Sequence, residues 1–193
     1  LDVCAEVYLR LSERMQHKDD PAQRLVLLRE GIKRYPNYNR INALKNEEKE
    51  ILSPRLDFRM EYAYPEEPIH LWVQHRNLQG FTVKLYQLFL SAESDALVKV
   101  GPKTVTKYGK LVGEEHFDLP PTPDYRLRMD TVKMKPLKTG IYYAVAVPDG
   151  HRNTIRGALI YVSSLQVLHR ALPDNRQEMV VLDKQSGHPV AAA

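Results

Sequence analysis

The sequence predicts an α+β fold in which a short helical segment precedes an antiparallel β-sandwich. Before Ser53-Pro54 the apolar residues recur about every four positions, and after it they alternate with polar residues. Pro and Gly turns then divide the rest into short strands with no helical pattern between them, so no parallel sheet is expected. With 193 residues, 43% apolar and 27% charged, the chain has the composition of an ordinary globular protein.

The first predicted helix runs from Asp2 to His17. Its apolar positions are spaced four apart and are Val3, Val7, Leu11 and Met15, with Tyr8 beside them. One helical hairpin cannot bury its apolar face alone. We therefore expect apolar surface to remain exposed on the face of Val7, Leu11 and Met15.

Two further helices follow. Asp20 is a good N-cap and Pro21 suits the first turn of a second helix that ends near Pro36. Its predicted face consists of Leu25, Leu28, Ile32 and Tyr35. The third helix is predicted from about Asn39 to Leu52, with Ile41, Leu44 and Ile51-Leu52 inward and Asn46 to Glu50 outward.

The first strand follows Pro54, where Leu56, Phe58, Met60 and Tyr62 alternate with charged residues. The other predicted strands are Ile69 to His75, Phe81 to Phe89, Ala96 to Val100, Tyr108 to Leu119, Tyr125 to Val132, Ile141 to Val147, Gly157 to Val162 and Leu165 to Leu168. Seven or more short strands separated by turns indicate an antiparallel sandwich of roughly 110 residues.

These patterns divide the chain into a helical segment (1–53), a sandwich (54–170) and a linker with one more strand (171–193). That strand, Glu178 to Asp183, is interpreted as the opening strand of a truncated following domain, because twenty residues cannot close a domain of their own. It should either pair with the edge of the sandwich or remain unpaired, and it should also leave apolar surface exposed.

No residue pattern indicates catalysis, a metal or a cofactor. His70 and His75 point to opposite faces of one strand, and His17, His116, His151, His169 and His188 occur singly, so all seven are interpreted as surface residues. Cys4 is interpreted as a buried thiol on an apolar face, and Ser163-Ser164, which lacks a nucleophile motif, as a strand bend. The acidic groups Glu47-Glu48 with Glu50, Glu66-Glu67 and Glu114-Glu115 are expected to be solvated.

Charge and hydropathy argue against a nucleic-acid-binding protein and against a membrane-spanning one. The net charge is +4, and the basic stretch of Lys99, Lys103, Lys107 and Lys110 has only Tyr108 among it, so no nucleic acid is expected as a partner. No apolar run is long enough to span a membrane.

Two stretches carry a family pattern. The first runs from Tyr35-Pro36 through Ile51-Leu52-Ser53-Pro54 to Pro68, and continues with Leu71-Trp72-Val73-Gln74-His75-Arg76-Asn77 and Val83-Lys84-Leu85-Tyr86. The second comprises Thr139-Gly140-Ile141-Tyr142-Tyr143, Val162-Ser163-Ser164-Leu165, Val180-Val181-Leu182-Asp183 and Ser186-Gly187-His188-Pro189-Val190. In order and spacing they resemble the N-terminal part of bacterial alpha-2-macroglobulin-like proteins, which are large extracytoplasmic chains built from macroglobulin domains.

The resemblance implies an immunoglobulin-like (macroglobulin) sandwich and a structural role. Members of the family are thought to entrap proteases after cleavage of a bait segment, and many then capture the protease through a Cys-Gly-x-Gln thioester. Cys4 is followed by Ala5-Glu6-Val7 and does not match that motif, and no family site residue maps onto this chain. Asn77 is expected to close a hairpin turn, because Asn tolerates the left-handed conformation.

The sequence-based expectation is therefore a non-catalytic module of a protease-trapping envelope protein, periplasmic or at the cell surface. Lipid anchoring through the parent protein is compatible with this role. Its expected partners are neighbouring domains of the same parent chain and, through the full-length protein, target proteases. The alternative is an adhesive or glycan-binding sandwich, for which the candidate surface aromatics are Trp72, Tyr62, Tyr64 and Tyr108.

Overall fold

The computed structural model describes residues 2–16, 18, 20–60, 63–89, 99–151, 154–173 and 176–191, leaving out the side chain of Asp2. The three helices are α1 (Asp2–Gln16), α2 (Pro21–Arg34) and α3 (Ile41–Leu52). The strands are β1 (Arg55–Arg59), β2 (Ile69–Arg76), β3 (Gly80–Leu88), β4 (Gly109–Asp118), β5 (Arg128–Met134), β6 (Gly140–Pro148), β7 (Arg156–Val162), β8 (Leu165–Ala171) and β9 (Gln177–Asp183). The predicted α+β class is confirmed.

The predicted start of α2 is also confirmed. The carboxylate of Asp20 accepts a hydrogen bond from the Gln23 backbone N–H at 3.1 Å, and Pro21 occupies the first turn. Asp20 therefore satisfies one of the free N–H groups at the helix start. His17, the predicted end of the first helix, lies outside the described residues.

The face of α1 that packs against the other helices is formed by small and medium side chains, Ala5, Leu9 and Ser12. Helices α1 and α2 approach closely at Gly31 of α2, where an added Cβ atom would lie 3.0 Å from the Cβ of Tyr8 on α1. The regularly spaced residues Val3, Val7 and Leu11 point outward and are 78%, 50% and 41% exposed. The expectation of an uncovered apolar face is thus confirmed at Val7 and Leu11, whereas Met15 is half-buried.

Seven strands form the sandwich. The three-stranded sheet has the order β1-β2-β5 and the four-stranded sheet the order β4-β3-β6-β7, and every pair of neighbouring strands is antiparallel. The predicted alternation holds on β2, where Ile69, Leu71 and Val73 are fully buried. They pack against residues of the other sheet such as Phe81 and Ile160. The core therefore lies between the two sheets, as in other sandwiches.

The link from β2 to β3 differs from the prediction. Asn77 does adopt the left-handed conformation, with φ 55°. The expected hairpin is wrong, however, because β2 and β3 belong to different sheets and the chain crosses between them here.

The predicted start of β5 is wrong. β5 begins at Arg128 and not at Tyr125, because Tyr125 has φ 57° and packs against the helical cluster. The predicted strand Ala96 to Val100 lies largely outside the described residues, and Lys99 and Val100 are not in a strand.

The outer faces of the two sheets differ. On the four-stranded sheet, Tyr143 and Val145 are covered by a segment that contains a short 3-10 turn, Val105–Lys107, with Val105 fully buried against them. No comparable cluster of buried residues covers the outer face of the three-stranded sheet among the described residues. The sandwich therefore has one covered outer face and one bare face.

β8 and β9 form a separate two-stranded ribbon. The expectation that Glu178 to Asp183 either pairs with the sandwich or remains unpaired is wrong, because β9 pairs along its whole length with β8. The physical reason is local: a short connection favours an antiparallel partner close in sequence. The limits 54–170 and 171–193 stay a prediction.

Apolar side chains of the ribbon are exposed, including Val167 and Leu168 on β8 and Met179 and Val180 on β9. The expected exposed apolar surface near the terminal strand is therefore confirmed. In the part of the chain that the structure describes, no helix is long and apolar enough to cross a membrane.

Candidate functional site

The histidine prediction is wrong at one position. His75 lies on the inner face of β2 and is 0% exposed, and its Nε2 is 2.7 Å from Oδ2 of Asp130. Its Nδ1 is buried without a hydrogen-bond partner. An imidazole can be buried at this point because the neighbouring strand β5 places Asp130 opposite Val73, from where its carboxylate reaches His75 diagonally across the two strands.

The other described histidines form no metal site, since no group of three or more potential ligands is found among the described residues. His70 and His116 are exposed, as predicted. Nε2 of His116 lies 2.9 Å from Oδ2 of Asp149, and this hydrogen bond raises the pKa of His116. The pair links the ends of β4 and β6 at the surface.

The structure corrects one of the two interpretations made for Cys4 and Ser163. Cys4 is exposed, so its interpretation as a buried thiol is wrong: α1 presents Ala5 and Leu9 to its neighbours instead. Ser163 lies in the bend between β7 and β8, as predicted, and its hydroxyl accepts a hydrogen bond from the Leu165 N–H at 3.0 Å.

One of the predicted solvated carboxylates has a structural role. Glu47 on α3 accepts a 2.5 Å hydrogen bond from the Ser12 hydroxyl and lies 3.2 Å from the guanidinium of Arg24. The side chains of Arg24 and Glu47 are only 11% and 22% exposed. This cluster joins all three helices, which the outward assignment of Asn46 to Glu50 did not foresee.

The uncovered face of α1 borders a groove of about 560 Å³. Its apolar wall is Val3, Val7 and Leu11, and its polar rim includes Arg10, Arg14 and Arg40. Within the rim, Glu6 accepts a hydrogen bond from the Tyr38 hydroxyl and pairs with Arg40 at 2.8 Å and Arg10 at 3.0 Å. The Tyr38 hydrogen bond and the two cations lower the pKa of Glu6, which therefore stays ionised. Exposed apolar patches bordered by polar groups mark contact surfaces.

The candidate aromatics do not share one groove. Trp72 lies on the outer face of β2, Tyr64 lies under the ammonium of Lys184 at 5.7 Å, and Tyr108 packs in the cluster on the opposite sheet. Tyr62 lies outside the described residues. A continuous aromatic platform of the kind that an adhesive surface needs is therefore absent among the described candidates.

Trp72 instead lines a small cavity on the bare face of the three-stranded sheet. The cavity has a volume of about 290 Å³ and is lined by Asp57, Phe58, Arg59, Trp72, Gln74 and Met129. The guanidinium of Arg59 lies over the Trp72 ring, 5.0 Å from its centroid. The alternation of β1 and β2 pointed to an outward Trp72, but the contacts across the strands could not be read from the sequence.

Comparison with known proteins identifies the fold. No protein-family model matches the sequence, and none of the curated proteins compared with it matches. Among solved structures, the chain is similar to native alpha-2-macroglobulin from Escherichia coli spanning domains MG0-NIE-MG1, with 18% identity and a TM-score of 0.51 over 71% of this chain and 47% of that one. It is also similar to the fragment of the same protein spanning NIE-MG1, with 16% identity and a TM-score of 0.50 over 72% of this chain and 74% of that one.

The chain thus spans about half the length of the first of these structures, and the likeness is one of fold. The helices were predicted from apolar periodicity, and the antiparallel sandwich is what the sequence resemblance implied. The chain therefore has the α+β fold of the NIE-MG1 part of a bacterial alpha-2-macroglobulin, with a macroglobulin-type, immunoglobulin-like β-sandwich.

Proposed function

We propose that this chain is a non-catalytic structural module of an alpha-2-macroglobulin-like, protease-trapping envelope protein, periplasmic or at the cell surface. The single observation that carries the proposal is the uncovered apolar face of α1, whose residues Val3, Val7 and Leu11 are exposed on an otherwise well-packed helical cluster. The fold shared with the Escherichia coli protein supports the choice of family.

The exposed ribbon formed by β8 and β9 gives the same indication. A two-stranded ribbon alone is marginally stable in water, and this one exposes apolar residues on both of its faces. Val167 and Val181 face each other on one side, and Leu168 and Val180 on the other. Neighbouring domains of the parent chain would cover both the ribbon and the α1 face, and target proteases would engage the assembled protein.

The packing role is tested by introducing a charge on the uncovered face. In the full-length parent, Val7→Asp should lower the thermal midpoint by several degrees, because it buries a carboxylate in a domain contact. In the isolated chain it should have little effect, because Val7 is exposed there. Val26→Asp is the matched control, since Val26 is also exposed but does not line the groove.

The protease-trapping role needs a separate test on the full-length parent. After incubation with a protease such as trypsin, the parent should elute from gel filtration as one complex that contains the protease, and the isolated chain should form none. Equal effects of Val7→Asp on parent and chain would exclude the packing role. A parent that forms no protease complex would exclude trapping.

A further inference from the structure

We propose that the cavity on the bare outer face of the three-stranded sheet binds a small zwitterionic ligand with an apolar side group, of the class of free α-amino acids. Two adjacent cross-strand rows form the site. In the first row the register places Asp57 beside Gln74 and Gln74 beside Met129, and in the second it places Arg59 beside Trp72. Side chains directly opposite on one face have Cβ atoms about 5 Å apart, so these groups lie together.

The two charged side chains of the site are Arg59 and Asp57. Neither forms an ion pair within the described part of the chain, although both project from the outer face of β1. Arg59 is held over Trp72 by a cation–π contact, and Oδ1 of Asp57 accepts the Phe58 N–H at 2.9 Å. One guanidinium and one carboxylate are therefore positioned side by side with hydrogen-bonding capacity left over.

The chemistry of the lining selects the ligand class. A guanidinium binds a carboxylate through two parallel N–H donors, and a carboxylate binds an ammonium group. Residues two apart on one strand face are about 7 Å apart, a span that an α-amino acid can bridge by placing its carboxylate on Arg59 and its ammonium on Asp57. Gln74 offers a further donor and acceptor, while Met129, which is 56% exposed, and the edge of Trp72 offer apolar contact.

The same geometry argues against a sugar and against a simple anion as the ligand. A sugar ring that stacks on a tryptophan needs a free aromatic face, and here the Arg59 guanidinium lies over the ring. A simple anion would meet the Asp57 carboxylate beside Arg59, and that repulsion would offset its attraction. A cavity of about 290 Å³ is at the small end of ligand pockets, which suits an amino acid.

The test uses the fact that Trp72 is the single tryptophan of the chain, so intrinsic fluorescence reports on this cavity. L-Leucine should change the emission saturably, with a dissociation constant on the order of 1 mM, as expected for a small ligand in an open site. N-acetyl-L-leucine, which lacks the ammonium group, and L-leucinamide, which lacks the carboxylate, should bind at least tenfold more weakly. D-Glucose should give no saturable change.

Substitutions at Asp57 and Arg59 test the proposed contacts with the ammonium and the carboxylate of the ligand. Asp57→Asn and Arg59→Gln should each weaken L-leucine binding at least tenfold, whereas Arg55→Gln, on the same strand but opposite Arg76, should leave it within twofold. Circular dichroism checks that each variant is folded, and Gln74→Ala replaces any variant that is not. The shift of the Trp72 indole N–H signal in NMR spectra provides a second readout.

Three results would overturn the proposal. They are the absence of L-leucine binding by both readouts, equal binding of N-acetyl-L-leucine or L-leucinamide, and saturable binding of D-glucose at this cavity. The proposal does not depend on the role of the parent protein, because all measurements are made on the chain alone.

Discussion

Asn77 joins three parts of the chain at the crossing between the two sheets. Its side-chain amide donates to the carbonyl oxygen of Ile51 at 2.8 Å, at the end of α3, and its backbone N–H donates to the Thr122 hydroxyl at 2.8 Å. Its φ of 55° is one that Asn tolerates better than most residues. The sequence indicated a turn here, but it could not show that the side chain reaches back 26 residues to the helix.

Two substitutions at this position separate its backbone and side-chain contributions. Asn77→Gly keeps the left-handed conformation and loses the side-chain hydrogen bonds, so it should lower the free energy of unfolding by about 1 to 2 kcal/mol. Asn77→Ala also loses the side-chain hydrogen bonds, and Ala adopts the left-handed conformation less readily than Gly. It should therefore lower the free energy of unfolding by about 1 kcal/mol more. Urea unfolding of the two variants measures the difference. Equal stabilities would show that the left-handed conformation carries no cost for Ala here.

At the scale of elements, the three helices are held together by polar as well as apolar contacts. Glu47 of α3 accepts from Ser12 of α1 and pairs with Arg24 of α2. Glu48, its neighbour in sequence, pairs with Arg29 at 2.8 Å, but the Arg29 side chain is 56% exposed. The two glutamates are similarly exposed, at 22% and 25%, but the arginine partner of Glu47 is largely buried and that of Glu48 is exposed.

Glu47→Ala should lower the free energy of unfolding by about 2 to 3 kcal/mol, because it removes the carboxylate that pairs with the largely buried guanidinium of Arg24 and accepts from the buried Ser12 hydroxyl. Glu48→Ala is the matched control and should cost less than about 1 kcal/mol, as expected for an exposed ion pair. Thermal and urea unfolding of both variants measure the contrast. Similar losses would show that burial of the Arg24 pair adds nothing.

The helices also show where sequence periodicity stops being informative. The spacing of Val3, Val7 and Leu11 identified an apolar face of α1, yet α1 packs through Ala5, Leu9 and Ser12. Gly31 of α2 allows Tyr8 of α1 to approach closely, and a periodicity argument gives glycine and other small residues little weight. On β2 the same kind of argument succeeded at Ile69, Leu71 and Val73, because a strand in a sandwich has only two faces and one must be buried.

The lining of the candidate cavity also could be predicted only in part from sequence periodicity. Alternation along β1 predicts that Asp57 and Arg59 share the outward face. Their position beside Gln74 and Trp72 depends on the register between β1 and β2, which pairs residues 15 or so positions apart in sequence. Nothing in the residues of either strand alone specifies that register, so the site could not be predicted from the sequence.

At the scale of the whole molecule, the ribbon formed by β8 and β9 contributes little to the packing of the sandwich. No described residue of β8 or β9 is buried. The ammonium of Lys184 donates to Ser163 O at 2.9 Å and lies 5.7 Å from the centroid of the Tyr64 ring. The side-chain amide of Gln185 donates to a carboxylate oxygen of Glu67 at 3.1 Å. The sandwich core contains no residue from the ribbon.

Removal of residues 164–193 should therefore leave the thermal midpoint within about 3 °C, since little buried apolar area is lost. Removal of residues 1–52 is the contrasting truncation and should lower it by more than about 5 °C, because Asn77 loses its acceptor at Ile51 and Tyr125 loses its apolar neighbours. Differential scanning calorimetry of both truncated chains checks this. A large loss on removing the ribbon would show that the ribbon stabilises the sandwich.

The join between β7 and the ribbon also determines how the molecule would respond to mechanical load. Ala63 bridges Val162 at the end of β7, and the Ser163 N–H donates to Ala63 O at 3.2 Å, so the end of β7 is tied to the segment that links β1 and β2. Tension applied to the far end of the ribbon would therefore enter the sandwich at this point and load β7 and the β1–β2 segment together.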